Sequence, residues 1–247
     1  MIKEALQYIV SLSEPNITTI GGFKYSDRPL TAIDECKRAR SIEATTLTSI
    51  VDYIKNAAPS EMPKKAYVHI VSPGEVRLIS ELDMDRKREV LITSNAQVPA
   101  VKLNNFVDNE NFMIMLQSMF VQNNEDMNEF ERTDIDIMQR VVGNVVDDTI
   151  QTYTDDGISQ QAAIKTGVTT KDTVILPSPA ILRPYRTFSE VEQPASKFVF
   201  RMKKGQYGPA SALFEADGGA WKNMAMDSIK DFFEAELEDY PDITIIC

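Results

Sequence analysis

At 247 residues, with 43% hydrophobic and 26% charged positions, the chain can bury a sizeable core in one or two domains, and its composition excludes wholesale disorder and a coiled-coil rod. The formal net charge of −11 repels a duplex phosphate backbone, so any nucleic-acid binding needs positive charge gathered locally. A single histidine, His69, and two cysteines, Cys36 and Cys247, exclude a disulfide framework and any Cys/His metal centre of ordinary spacing.

The elements follow in chain order. Ile2, Ala5, Leu6, Ile9 and Val10 fall on one side of a short helix that ends at Ser13-Glu14-Pro15, and this stripe is expected to be buried. Ile17–Ile20 and Phe23–Tyr25 flank Gly21-Gly22 and read as a hairpin. From Thr46 to Ala57, Leu47, Ile50, Val51 and Ile54 recur at i, i+3, i+4 and i+7, the buried face of a helix. Ala58–Pro63 is a linker. It sets an expected boundary between a helix-hairpin-helix region, 1–58, and a main body, 59–247.

The body starts with a three-strand meander, Ala66–Val71, Glu75–Glu81 and Glu89–Thr93. Asp108 is placed to cap a helix whose Phe112, Met115, Leu116, Met119 and Phe120 share one side. A second helix is expected from Thr133, with Asp136 at the capping-box position and Ile137, Met138, Val141, Val142 and Val145 as its stripe. Thr149–Ile175 has β character around Asp155-Asp156-Gly157 and Thr166-Gly167. Pro177, Pro179 and Pro184 then keep the chain extended. Strands Lys197–Met202 and Ala210–Ala216, a helix Ala220–Leu237 and a strand Ile243–Ile246 complete a C-terminal strand-turn-helix unit, 177–247. Mixed blocks without strict alternation predict an α+β fold, with a mixed, mainly antiparallel sheet and several amphipathic helices; the alternative is a phage capsid-like fold.

The candidate chemistry concentrates between Leu182 and Lys222, which also holds the only tryptophan, Trp221. Arg183 and Arg186 flank Tyr185, and a guanidinium beside an aromatic face can stack a base or grip a phosphate. The structural alternative is that both arginines pair with Glu190 and Glu192. Arg201, Lys203 and Lys204 extend the strip, and the Gly218-Gly219 corner leads into a helix whose first amides can hold an anion. Trp221 reads as a core anchor of that helix. No nucleophile elbow, P-loop or dinucleotide motif occurs. Acidic pairs such as Asp83/Asp85, Asp134/Asp136, Asp147/Asp148 and Asp155/Asp156 fall at turns and helix starts, where backbone hydrogen bonding favours Asp. The expectation is no catalytic residue, no metal and no cofactor.

Leu182–Phe188, Phe198–Arg201 and Ala212–Trp221, with Leu47–Ile54 and Asn95–Pro99 upstream, resemble the YfdQ-like proteins, an uncharacterised phage and prophage family. The resemblance implies a phage or prophage accessory protein and transfers no activity and no site residue. No apolar run approaches the ~20 residues of a membrane span, and the start of the chain lacks a signal-peptide layout, so a cytoplasmic location in a bacterial host and no membrane partner are expected, with both thiols free. The functional expectation is a non-enzymatic homo-oligomer that binds, sequesters or forms a capsid-like shell. The alternative is a nucleotide or single-stranded nucleic-acid binder using Arg183, Tyr185, Arg186, Arg201, Lys203 and Lys204.

Overall fold

The structure is a computed structural model that describes residues 2–11, 15–20, 22–28, 38–58, 60–83, 86–122, 129–144, 161–166, 170–175, 178–205 and 208–247. It forms two compact units, Met1–Ala39 and Arg40–Cys247. The division falls before the linker expected at 58/59. The reason is that Ile42–Ala44 joins a sheet of the main body, and the helix after it supplies that body's core.

The first unit contains helix α1 (Ile2–Ser11) and an antiparallel hairpin, β1 (Ile17–Ile20) with β2 (Phe23–Ser26). Asn16 and Asp27 close the hairpin's open end, the Asn16 amide donating to Asp27 Oδ1 at 2.8 Å and the Asp27 amide to the Asn16 carbonyl at 3.2 Å. The apolar stripe of α1 differs from expectation, because Ile2 is 80% exposed and Leu6, Ile9 and Val10 more than half exposed.

The second unit is α+β, as the mixed blocks predict, with two sheet-and-helix layers. One sheet has the order β13-β4-β5-β6-β3, from β3 (Ile42–Ala44), β4 (Ala66–Ser72), β5 (Glu75–Ser80), β6 (Val90–Asn95) and β13 (Ile243–Ile246). The meander β4-β5-β6 is antiparallel, and the outer strands β13 and β3 join in parallel. Alternation points Ala66, Val68, Ile70, Val76, Leu78 and Ile92 inward, each at most 3% exposed. They meet helix α2 (Leu47–Asn56) and helix α5 (Ala220–Glu236) in one core. Thr46 caps α2 by accepting from the Ser49 amide at 3.3 Å. Ser94 is buried on the same face, and its hydroxyl is satisfied by donating to the Thr46 carbonyl at 2.8 Å.

The second sheet, β10-β11-β12-β7, is built from β7 (Val107–Asp108), β10 (Ala180–Leu182), β11 (Ser196–Gly205) and β12 (Gly208–Glu215), all antiparallel. Its core lies against α3 (Asn109–Met119) and α4 (Glu129–Asn144), where the Phe112 ring stacks on Phe200 at 5.5 Å. Asp108 caps α3 as expected, accepting from the Asn111 amide at 3.0 Å. α4 starts at Glu129, so Thr133 lies inside the helix and heads no capping box; Ile135, Met138, Val141 and Val142 form its buried stripe. Strands β8 (Gln161–Thr166) and β9 (Thr170–Ile175) form a separate hairpin. The turns expected at 155–157 and 166–167 lie wholly or partly outside the described residues, as do Val145 and Cys36.

The segment 177–247 contributes to both cores of the second unit. Its strands β10–β12 serve the core under α3 and α4, while Phe188 and α5 serve the other. Two separate sheets, each with its own helices, give no support to the capsid-like alternative.

Candidate functional site

The stretch from Leu182 to Ser196 leads out of β10, past Phe188 in the core of α2 and α5, and back into β11, and several of its polar groups are engaged on the way. After β10, Pro184 forms a bridge with Phe120; the Val121 amide donates to the Arg183 carbonyl at 2.8 Å and the Tyr185 amide to the Met119 carbonyl at 3.0 Å. Proline suits this place because its extended φ continues the strand and no amide is required of it. Gln193, 7% exposed, then pins the turn that follows. Its Oε1 accepts from the amides of Arg186 (2.8 Å) and Thr187 (3.2 Å), and its Nε2 donates to the Phe188 carbonyl at 3.0 Å. Thr187 Oγ1 donates to the Pro73 carbonyl at 2.6 Å, fastening the turn to the β4-β5 hairpin.

Arg186 is the centre of the segment. Its side chain is 8% exposed and its guanidinium lies 4.0 Å from the Trp221 ring centroid and 5.7 Å from that of Phe198. Nη1 donates to Glu215 Oε1 at 3.0 Å and Nη2 to Ser196 Oγ, while Nε is buried without a partner. Burial lowers the Arg186 pKa, against the opposing charges of Glu215 and Asp217; a guanidinium remains protonated throughout the ordinary pH range. Planar stacking and forked donors are what arginine supplies and lysine does not. Trp221 is accordingly half-buried under Arg186, which corrects the expectation of a core anchor: the buried residues of α5 are Ala225, Ile229 and Phe233.

Arg183 pairs with Glu192, as the structural alternative foresaw, but Arg186 pairs with Glu215 on β12 and not with Glu190. Glu190 instead accepts from the Thr48 amide at 3.2 Å, at the start of α2. Tyr185 is 38% exposed. It lies between two arginines that are both committed elsewhere, so the three do not converge on a common ligand.

The Gly218-Gly219 corner has φ of 63° and 82°. A Cβ at either would meet no atom within 4 Å, so it is the left-handed backbone and not crowding that calls for glycine. The amides at the head of α5 are answered from within: Gly219 N donates to Asp217 Oδ1 at 3.0 Å and Ala220 N to the Asp217 carbonyl at 3.2 Å. Burial pushes the Asp217 pKa up, but the Gly219 amide, the neighbouring Ser196 hydroxyl, the Arg186 charge and the Trp221 amide outweigh it and hold the carboxyl below its usual range. Asp217 thus occupies the place that the sequence offered to an external anion.

The remaining basic residues are on β11, where strand alternation separates them. Arg201 and Lys203 share the face turned away from Phe198, Phe200 and Met202, while Lys204 has the parity of the core face. Arg201 Nη1 donates to the Phe200 carbonyl at 3.1 Å, and Lys203 Nζ lies 4.0 Å from the Phe106 centroid. The expected strip from Arg183 to Lys204 is therefore not one surface. Among the described residues no group of three or more His, Cys, Asp or Glu is placed to hold a metal ion, and no helix is long and apolar enough to cross a membrane.

Gln193, Ser196, Glu215 and Asp217 complete the cluster around Arg186 and were absent from the sequence-based set. The sequence carried one usable signal, the carboxylates at Glu215 and Asp217 immediately before the glycine pair. Comparison with protein-family models, curated proteins and solved structures finds no match to this chain.

Proposed function

We propose that the chain is a non-enzymatic accessory protein of phage or prophage type that works as a homo-oligomer, with its first unit as the self-association arm. The observation that carries this reading is the exposure of that unit's apolar side chains: Ile2, Leu6, Tyr8, Ile9 and Val10 on α1, and Ile17, Ile20 and Tyr25 on the hairpin, are all more than half exposed. Grouped apolar exposure of this kind marks interaction surfaces. No buried core residue of the described chain precedes Arg40. An isolated ten-residue helix and a two-stranded hairpin are each marginal in water, so pairing with the same unit of another copy supplies the burial they lack. The non-enzymatic part of the reading rests on Arg186, Glu215 and Asp217 being taken up by contacts that join the layers.

Light scattering after size exclusion tests this directly. The unmodified protein is expected at a multiple of 27.8 kDa, and Leu6→Glu with Ile9→Glu is expected to return it to single-chain mass with its far-ultraviolet circular dichroism nearly unchanged. A single-chain mass for the unmodified protein at every concentration overturns the reading.

A further inference from the structure

The sheet β10-β11-β12-β7 has a second face, turned away from α3 and α4, and register decides what stands on it. Because Phe198, Phe200 and Met202 enter the core, Lys197, Val199, Arg201 and Lys203 stand on the opposite side of β11. Their cross-strand partners on β12 are Phe214 for Val199, Ala212 for Arg201 and Ala210 for Lys203. The Phe106 ring meets Phe214 edge-on at 5.9 Å, and Lys203 lies over Phe106. The face is thus an apolar floor of half-buried rings and small side chains with a line of three cations along one strand.

Charge distinguishes this line from the two arginines of the preceding segment. Arg183 and Arg186 are paired with Glu192 and Glu215, whereas Lys197, Arg201 and Lys203 form no ion pair with any described carboxylate. Among the strand residues of this sheet, register brings one carboxylate to the face, Asp108 beside Ala210 on β7. Its oxygens already accept from Asn111 N and Nδ2, at 3.0 and 2.7 Å. In a chain of net charge −11, three cations that share this face with one carboxylate, Asp108, two strands from Lys203, form a local field of the opposite sign to the rest of the molecule. At a rise of ~3.4 Å per residue, Lys203 stands about 7 Å and Lys197 about 14 Å from Arg201 along the strand, so the line is about 20 Å long. That length exceeds what the phosphates of one nucleotide can span and matches successive phosphates of an extended strand.

We propose that this face binds single-stranded nucleic acid, with Lys197, Arg201 and Lys203 each holding a backbone phosphate and Phe214 beneath a base. A cationic track beside aromatic rings is the general means of gripping single strands without sequence preference. A duplex, with its higher charge density, is disfavoured by the acidity of the remaining surface. The site is separate from the Arg183–Tyr185–Arg186 segment, whose arginines are committed to carboxylates, and it does not depend on the oligomeric state.

The test is fluorescence anisotropy of the full chain with labelled oligo(dT) and oligo(U), and with a duplex of equal length, over a salt series. Three phosphate contacts at about 0.7 each predict a slope of log K against log salt of about −2 for the single strands. Arg201→Ala is expected to weaken binding several-fold at low salt and to make the slope shallower by about 0.7. Lys64→Ala with Lys65→Ala, which removes exposed cations elsewhere, is expected to change neither. Absence of binding at low salt, equal loss in the Lys64/Lys65 variant, or tighter binding of the duplex each overturns the proposal.

Discussion

Asp217 illustrates how far single residues can be read. Asp217-Gly218-Gly219 is legible as a turn into a helix, since two consecutive positive φ values call for glycine. Whether the helix head waits for a ligand or is already occupied depends on where one carboxylate points: Asp217 Oδ1 accepts from the Gly219 amide at 3.0 Å, and Ser196 and Arg186, far off in sequence, help to hold that carboxyl ionised. The consequence is a pH dependence. The folded pKa of Asp217 lies below the 3.8 of an unperturbed carboxyl, so its charge stabilises the fold above that value and the contribution is lost as pH falls through the folded pKa. In urea unfolding followed downward from neutral pH, Asp217→Asn is expected to lose stability at neutral pH, by about 1 kcal/mol. It should also show a shallower decline below about pH 4 than the unmodified protein. Parallel curves for the two proteins would remove the charge from this role.

Among the elements, those with a full period of pattern were legible, whereas β3 and β7 were not. Leu47, Ile50, Val51 and Ile54 declare α2 through four matches to one helical face, and all four are at most 6% exposed. Ile50→Ala is accordingly expected to cost about 2–5 kcal/mol in denaturant unfolding, and Thr46→Ala, which removes the cap, about 1 kcal/mol. Equal small losses would mean that α2 is held by its cap and not by its buried face. β3 and β7 have three and two residues, too few for alternation to register. They are strands because β6 and β12 offer them an unpaired edge. The early start of α4 has the same character, since its capping-box letters at Thr133 and Asp136 are overridden by a helix already under way at Glu129.

At the scale of the whole molecule, the second unit consists of two sheet-and-helix layers joined by a buried arginine. Arg186 touches Ser196 at the start of β11, Glu215 at the end of β12 and Trp221 in the first turn of α5, so it spans elements that serve different cores. Removing one partner of a buried pair costs several kcal/mol, and because Glu215 is 36% exposed the loss for Arg186→Ala is expected near the lower end, about 3 kcal/mol. Trp221 is the only tryptophan, so its emission reports this junction directly. Arg186→Ala is expected to shift that emission to longer wavelength and lower the unfolding midpoint, and Arg186→Lys to restore neither, for want of the stacked, forked guanidinium. Unchanged emission would show that Arg186 does not cover the indole.

By itself the sequence determined the α+β class, the meander, the buried faces of α2 and α3 and the strands of the C-terminal region, because each of these is written in a local period of apolar residues. It also determined which residues carry positive charge. Only the tertiary structure decided which of those charges are spent. Register put Arg201 and Lys203 on one face of β11 and Lys204 on the other, and the approach of Glu215 and Trp221 turned Arg186 into a fastening. Pairing between residues distant in sequence is a property of the folded chain, and no local pattern encodes it.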